Sequence, residues 1–229
     1  MPRLKPVPAA VPAPGAPALP IHEMPGHMVR RLQQVAVALF TSPGTSTSAN
    51  YPASGADTAG GNSGCSWGSP ANVGSGASTT SCNVAANATG NASSHFLYAS
   101  NFGFAIPSDA TITGITLEIR RNAAATSALV DNVVRLAKTN NQTNLGTSFA
   151  NATTWPSTLT TQTYGDAAAL WGTTWTPAEI NASTFGAVLS VSNATGTARS
   201  ATVDWFRITV AYTFSTAPDR KSTRLNSSH

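Results

Sequence analysis

The chain has 229 residues, of which 41% are hydrophobic and only 10% charged. Charge this sparse is well below the usual quarter of a soluble domain, which argues against a coiled coil, a charged helical bundle or an acidic disordered tail. The formal net charge is +4, but the excess lies at the two ends, because residues 41–214 hold six bases and seven acids. Arg120-Arg121 is the one adjacent basic pair in this body, so we expect no binding to nucleic acid.

The first 45 residues predict a Pro/Ala-rich leader. They start MPRLKPVPAAVPAPGAPALP, with a proline every two to three residues, which blocks helix and sheet and favours an extended linker. Residues 28–40 begin basic and turn apolar like a secretory signal, but only the six residues 35–40 form the apolar run. That is too short for a membrane span, so a degenerate signal and a disordered linker both remain open.

The last residues, 216–229, are predicted to be disordered or non-native. They end in DRKSTRLNSSH, which resembles translated sequencing-adapter read-through, and we assign no function to it. The folded domain is therefore predicted to cover residues 46–215.

This domain predicts an all-β fold. Its composition is rich in Ser, Thr, Asn and Gly and poor in Lys and Glu, which favours short strands joined by turns. Alternating apolar and polar residues predict clear strands over 112–121, 185–191 and 203–214, weaker ones over 95–99, 130–138 and 158–164, and one unplaced strand within 65–85. Because the long amphipathic helices of a parallel sheet are missing, we expect an antiparallel β-sandwich, jelly-roll or Ig-like, in one domain.

The last predicted strand contains a parity conflict. Val203 and Trp205 do not share the face formed by the apolar residues that follow them. We therefore expect either a β-bulge near Asp204 or a strand buried on both sides.

One short helix is predicted before the 185–191 strand. The run Thr176-Pro177-Ala178-Glu179 places threonine at the N-cap, proline at the first helical position and glutamate at the third. These are the elements of a capping box, so a helix of about one turn should begin here.

Cys65 and Cys82 are the two cysteines, with sixteen residues between them in a Gly/Ser/Asn-rich stretch. An extracellular disulfide is the first interpretation in a chain this poor in charge. Two unpaired buried thiols are the main alternative. A metal site is disfavoured, because two thiols without nearby histidine cannot complete a zinc shell.

Catalytic patterns are largely missing. His95 is the only histidine of the body, no GxSxG elbow accompanies it, and a strand-edge or turn position explains it better. Glu118 lies on a clear strand facing outward beside Arg120, and an exposed cross-strand ion pair explains it more simply than glycosidic catalysis. We therefore expect no enzyme.

Nucleotide-binding and standard metal motifs do not occur either, so no cofactor is expected. A loop-bound calcium ion remains open, since such a site needs no contiguous motif. Its ligands would be loop carbonyls with one or two of Asp57, Asp109, Asp131 and Asp166.

Five tryptophans lie among Asn, Thr and Gly: Trp67, Trp155, Trp171, Trp175 and Trp205. Exposed rings flanked by amides are typical of sugar recognition, although most of these rings are expected to plug the ends of the sandwich. Trp171, Trp175 and Tyr164 are the candidate glycan platform. That alternative requires at least one of the three rings to be exposed.

Residues 95–213 carry a series of landmarks: FGFAIP, ITGI, VRL, TTWP, LWGTTWTPAEIN and VDWFRITVAY. In this order they resemble a β-sandwich module that recurs in bacterial and phage surface or virion proteins. The resemblance implies an exported structural module, secreted or carried on a cell surface or virion, with no catalytic residues to transfer.

Three function classes follow. The leading one is a non-catalytic structural or adhesive module without a deep pocket, displaying loops near 65–82 and 165–182 to neighbouring domains of a larger surface assembly. The alternative is a carbohydrate-binding module for cell-surface glycans. An enzyme, the third class, would need His95 or Glu118 in a cleft with a second titratable group.

Overall fold

Two antiparallel β-sheets pack against each other in the structure, a computed structural model. It describes residues 44–214 apart from 63, 75–77, 86–91, 125–128, 194 and 196. The predicted tail at 216–229 and residues 1–43 of the predicted leader lie outside the described residues, whereas Gly44 and Thr45, also assigned to the leader, begin the first strand. The prediction of an all-β antiparallel sandwich is confirmed.

The described elements are ten strands, a 3₁₀ turn and one short helix. In chain order they are β1 (Gly44–Asn50), β2 (Ser54–Thr58), the 3₁₀ turn (Pro70–Val73), β3 (Thr80–Val84), β4 (Ala92–Ser93), β5 (Phe96–Ser100), β6 (Thr111–Ala123), β7 (Leu129–Ala137), β8 (Thr160–Asp166), α1 (Pro177–Asn181), β9 (Gly186–Asn193) and β10 (Arg199–Phe214).

Each sheet is organised around one central strand that pairs along both of its edges, β10 in the first sheet and β9 in the second. In the first sheet, β6 pairs along one edge of β10, β8 pairs outside β6, and β1 and β3 pair with successive lengths of the other edge of β10. In the second sheet, β7 pairs along β9, while β4 and β5 pair in succession with its other edge and β2 pairs outside β5. The core lies between the sheets.

Apolar periodicity accounts for the predicted strands. Ile115, Leu117 and Ile119 of β6 are fully buried, as the alternation in 112–121 requires. The three clear strands and the weaker ones are all present, with ends shifted by at most four residues, and the unplaced strand is β3. Three strands were not predicted. GTSTSAN of β1 and SGADT of β2 show no apolar alternation and are held by pairing with β10 and β5, and β4 has only two residues, which pair with β9.

Both local predictions are confirmed. The β10–β6 register shifts between Val203 and Trp205, so of the two alternatives expected near Asp204 the structure has the bulge. At α1, the backbone N–H of Glu179 donates to Thr176 Oγ1 at 3.2 Å and the Thr176 N–H donates to Glu179 Oε2 at 2.9 Å. No helix among the described residues is long and apolar enough to cross a membrane.

Candidate functional site

The predicted glycan platform is not on the surface. Trp171, Trp175 and Tyr164 are 2%, 7% and 4% exposed. A ring this deeply buried cannot stack on a sugar, so the structure corrects the prediction that these three residues form the platform. Trp67 and Trp155 are buried as well, which matches the expectation that most tryptophans plug the sandwich.

The buried rings fasten loops to the sheets. Trp171 has a left-handed backbone (φ 59°), its indole N–H donates to the Ile115 carbonyl at 2.8 Å, and its ring lies 4.3 Å from that of Phe149. The Trp175 indole N–H donates to the Leu170 carbonyl at 3.0 Å, and its ring meets Phe185 edge-on. Burial therefore leaves neither indole N–H group without a hydrogen-bond partner.

Trp205 is the exception among the five tryptophans, because it is partly exposed. It lies on the outer face of the first sheet, where its ring meets that of Tyr51 edge-on, with centroids 5.6 Å apart. The Arg207 guanidinium carbon lies 5.6 Å from the Trp205 centroid and 6.0 Å from that of Tyr51. We call Tyr51, Trp205, Arg207 and Glu118 the aromatic patch. The parity conflict at Trp205 is the sequence signal that could have indicated that this ring lies on the outer face.

The charges within and next to the aromatic patch are paired. Arg207 donates to both carboxylate oxygens of Glu118, its cross-strand partner, at 2.7 and 2.9 Å, so the expected ion pair of Glu118 is present. Hydrogen bonding to this carboxylate raises the pKa of Arg207 further. Arg120, opposite Trp205 in the register, donates to Asp204 at 2.6 Å. The two cations are thus matched by two carboxylates.

A second ionic group lies between the sheets. Arg121 and Asp131 approach within 2.9 Å, with side chains 2% and 0% exposed. Asp131 also accepts from the Trp155 indole N–H at 2.8 Å and the Tyr164 hydroxyl at 2.9 Å, and the Arg121 guanidinium lies 4.3 Å from the Trp155 ring. Burial raises the pKa of Asp131, while Arg121 opposes that rise. We call these four residues the buried ionic cluster.

His95, the candidate base, pairs with an aspartate. Its Nδ1 lies 2.8 Å from Asp57 Oδ2, and the other oxygen of Asp57 accepts from the Trp67 backbone N–H. The position beside β5 agrees with the predicted strand-edge role. The pair holds neighbouring segments together.

The four aspartates proposed for calcium are dispersed. Asp57 pairs with His95, Asp131 lies in the buried ionic cluster, and Asp166 accepts from the backbone N–H of Ala168 after β8. Within the described residues, no three His, Cys, Asp or Glu side chains come together as metal ligands.

The predicted disulfide joins Cys65 to Cys82, with Cα atoms 5.8 Å apart, and this prediction is confirmed. The bridge is tied to the second sheet, because the His95 N–H donates to the Cys65 carbonyl at 2.9 Å. The Trp67 indole N–H donates to the His95 carbonyl at 3.0 Å. The start of the loop at 65–82 is therefore fastened to the sandwich.

An open depression of about 430 Å³ lies at the end of β2 and β5. Hydroxyls and amides line it, from Ser54, Ser100, Asn101, Asn140, Asn141 and Ser183. Tyr98 is its one titratable group; burial raises its pKa to about 12, and its hydroxyl donates to the Thr184 carbonyl. The depression thus offers mainly neutral hydrogen-bonding groups.

Comparisons with known proteins add little about the function of the chain. No protein-family model and no curated protein matches the chain. One similar solved structure is a family 11 carbohydrate-binding module from Clostridium thermocellum in complex with a β-1,3-1,4-mixed-linked tetrasaccharide; it is 12% identical, and the match covers 72% of this chain and 87% of that one. The TM-score is 0.28, too low to transfer the ligand or its site.

Proposed function

We propose that the chain is a non-catalytic structural or adhesive β-sandwich module of a bacterial or phage surface protein, working in an oxidising extracellular setting. The observation that carries the proposal is the Cys65–Cys82 disulfide, which closes a loop on a body with few charged residues. Disulfides persist in secreted and surface proteins and are rare where thiols are kept reduced.

The loop at 165–182 supports a display role. Trp171 and Trp175 anchor it from the inside, and the capping box of Thr176 and Glu179 fixes the start of α1. A loop held at several points presents its surface in one conformation, which lowers the entropy lost when a partner binds. Neighbouring domains of a larger surface assembly are the partners this arrangement suits.

The same groups argue against catalysis. His95 and Asp57 pair with each other away from the open depression, and Glu118 is held by Arg207 on a sheet face. Neither His95 nor Glu118 lines the open depression, and this supports the non-catalytic proposal.

The experiment compares the full chain, exported to an oxidising compartment, with its Cys65→Ser/Cys82→Ser variant. Loss of the bridge should cost about 3 kcal/mol of unfolding free energy, because the loop it closes gains freedom in the unfolded chain. Chemical denaturation measures this cost, and thiol titration of the exported wild type should find no free thiol. Free thiols in the exported chain, together with equal stability of the two proteins, would contradict the extracellular proposal.

A further inference from the structure

Trp205 reaches the surface through a backbone irregularity. Val203 and Phe206 are both fully buried, so an unbroken strand would turn Trp205 inward with Val203. The bulge places one extra residue between them and turns Trp205 to the outer face. Bulges commonly re-aim a side chain in this way next to functional sites.

The edge of β10 beside Trp205 pairs with neither β1 nor β3. β1 pairs with β10 from residue 208 onward and β3 pairs with it up to residue 203. Residues 204–207 lie in the interval between these two strands. Tyr51, which follows β1 directly, is 36% exposed and meets Trp205 there.

The aromatic patch is held in one arrangement. Bidentate bonding to Glu118 fixes the Arg207 guanidinium, which in turn lies against both rings. Bidentate arginine–carboxylate pairs add geometric specificity as well as energy. A ligand would therefore meet rings whose positions are already set.

The chemistry of the aromatic patch selects the class of ligand. Arg207 with Glu118 and Arg120 with Asp204 cancel in charge, so the surface offers no excess of cations to a phosphate or a polyanion. It offers apolar ring surface beside N–H donors and carboxylate acceptors. A sugar ring carries the matching groups, with an apolar C–H face and hydroxyls around its edge. Two rings are too small an area for a stable protein interface.

We propose that the aromatic patch is a binding site for one or two sugar rings of a neutral glycan. The sugar packs on the exposed parts of Trp205 and Tyr51, and its hydroxyls bond to Arg207 and Glu118. The structural role proposed above does not depend on this site, so a failed binding test leaves that role standing.

The test screens the full oxidised chain on an array of neutral and acidic oligosaccharides, then measures the affinity of the strongest neutral binder by calorimetry. Trp205→Ala and Tyr51→Ala should each weaken binding at least tenfold, and Trp205→Phe, which keeps a ring, should weaken it less. Leu170→Ala removes a side chain that is also 36% exposed, and Asn140→Ala alters the open depression. Both controls should bind within about twofold of wild type.

Thermal midpoints are recorded for every variant, and Tyr51→Ala with Trp205→Phe decides the question if Trp205→Ala does not fold. Three results would overturn the proposal. These are no binding to any neutral oligosaccharide, binding that survives in the Tyr51 and Trp205 variants, and binding lost through Asn140→Ala instead.

Discussion

Arg120 and Arg121 are adjacent in the chain and occupy opposite environments. Arg120 points to the outer face of the first sheet, is 42% exposed and pairs with Asp204. Arg121 points between the sheets, is 2% exposed and pairs with Asp131. Successive residues of a strand face opposite sides, so one arginine serves the surface and the other lies inside the buried ionic cluster.

The difference shows that the contribution of an ion pair to stability depends on how far its two charges are buried. On the outer face, Arg120 stays in contact with water although the Asp204 side chain is only 7% exposed, and ion pairs that water reaches contribute about 0 to 1 kcal/mol. Between the sheets, both charges have lost their hydration. They are stabilised by each other and by contacts with Trp155 and Tyr164. Breaking such a pair from one side leaves a buried charge without a counterion, which costs about 3 to 5 kcal/mol.

The largest expected effect comes from Asp131→Asn. It keeps an oxygen for the Trp155 N–H but leaves the Arg121 charge uncompensated, so the unfolding free energy should fall by about 3 to 5 kcal/mol. Urea denaturation measures the loss. Adding Arg121→Met removes the stranded charge, and the double variant should regain most of the stability. Losses that simply add in the double variant would show that charge is not the cause.

Tyr164→Phe should have the next largest effect. It removes a hydroxyl that donates to the Asp131 carboxylate and leaves the ring in place. Hydrogen bonds to charged groups contribute about 1.5 to 3 kcal/mol, and urea denaturation should show a loss in that range. Thr163→Ala, on the exposed neighbour in β8, is the matched control and should stay within about 0.5 kcal/mol of wild type.

Glu118→Gln tests the outer face and should cost about 0.2 to 1 kcal/mol, because water and salt screen its pair with Arg207. Denaturation at low and at high salt measures it, and the difference from wild type should shrink as salt rises. A cost as large as that of Asp131→Asn would remove the distinction between the two environments.

Glu179 should show the smallest effect. Burial tends to raise its pKa, but hydrogen bonds from Lys138 and Thr176 outweigh this and lower the pKa below its usual value. A lowered pKa means that Glu179 adds stability above its unfolded pKa and loses it as the pH falls through its folded pKa. An NMR titration measures the shift, and Lys138→Met should move the pKa of Glu179 upward. An unchanged pKa in that variant would contradict the role given to Lys138.

Much of the fold follows from short-range patterns. The alternation in β6 and β10 predicts strands because apolar side chains must share one face, and the capping box predicts α1 from four consecutive residues. β1 and β2 cannot be predicted in this way. Their Ser, Thr and Gly residues carry no apolar signal, and their strand conformation depends on hydrogen bonds to β10 and β5.

The candidate site was only partly predictable. The parity conflict marks Trp205 as unusual, yet Tyr51 comes near it only through the pairing of β1 with a strand about 160 residues further along the chain. Similarly, Trp171 and Trp175 lie in a part of the sequence rich in Gly, Thr and Asn, a composition that suits sugar recognition. Their burial depends on partners such as the Ile115 carbonyl, which is 56 residues from Trp171.

Sequence by itself determined the periodic strands and the helix cap, because each depends on residues close in the chain. It favoured the disulfide and limited the parity conflict at Trp205 to two alternatives, a bulge or a strand buried on both sides. Tertiary structure alone decided which tryptophan meets water and how deeply the charge of Arg121 is buried. Burial is a property of what covers a face, and the covering residues come from distant parts of the chain.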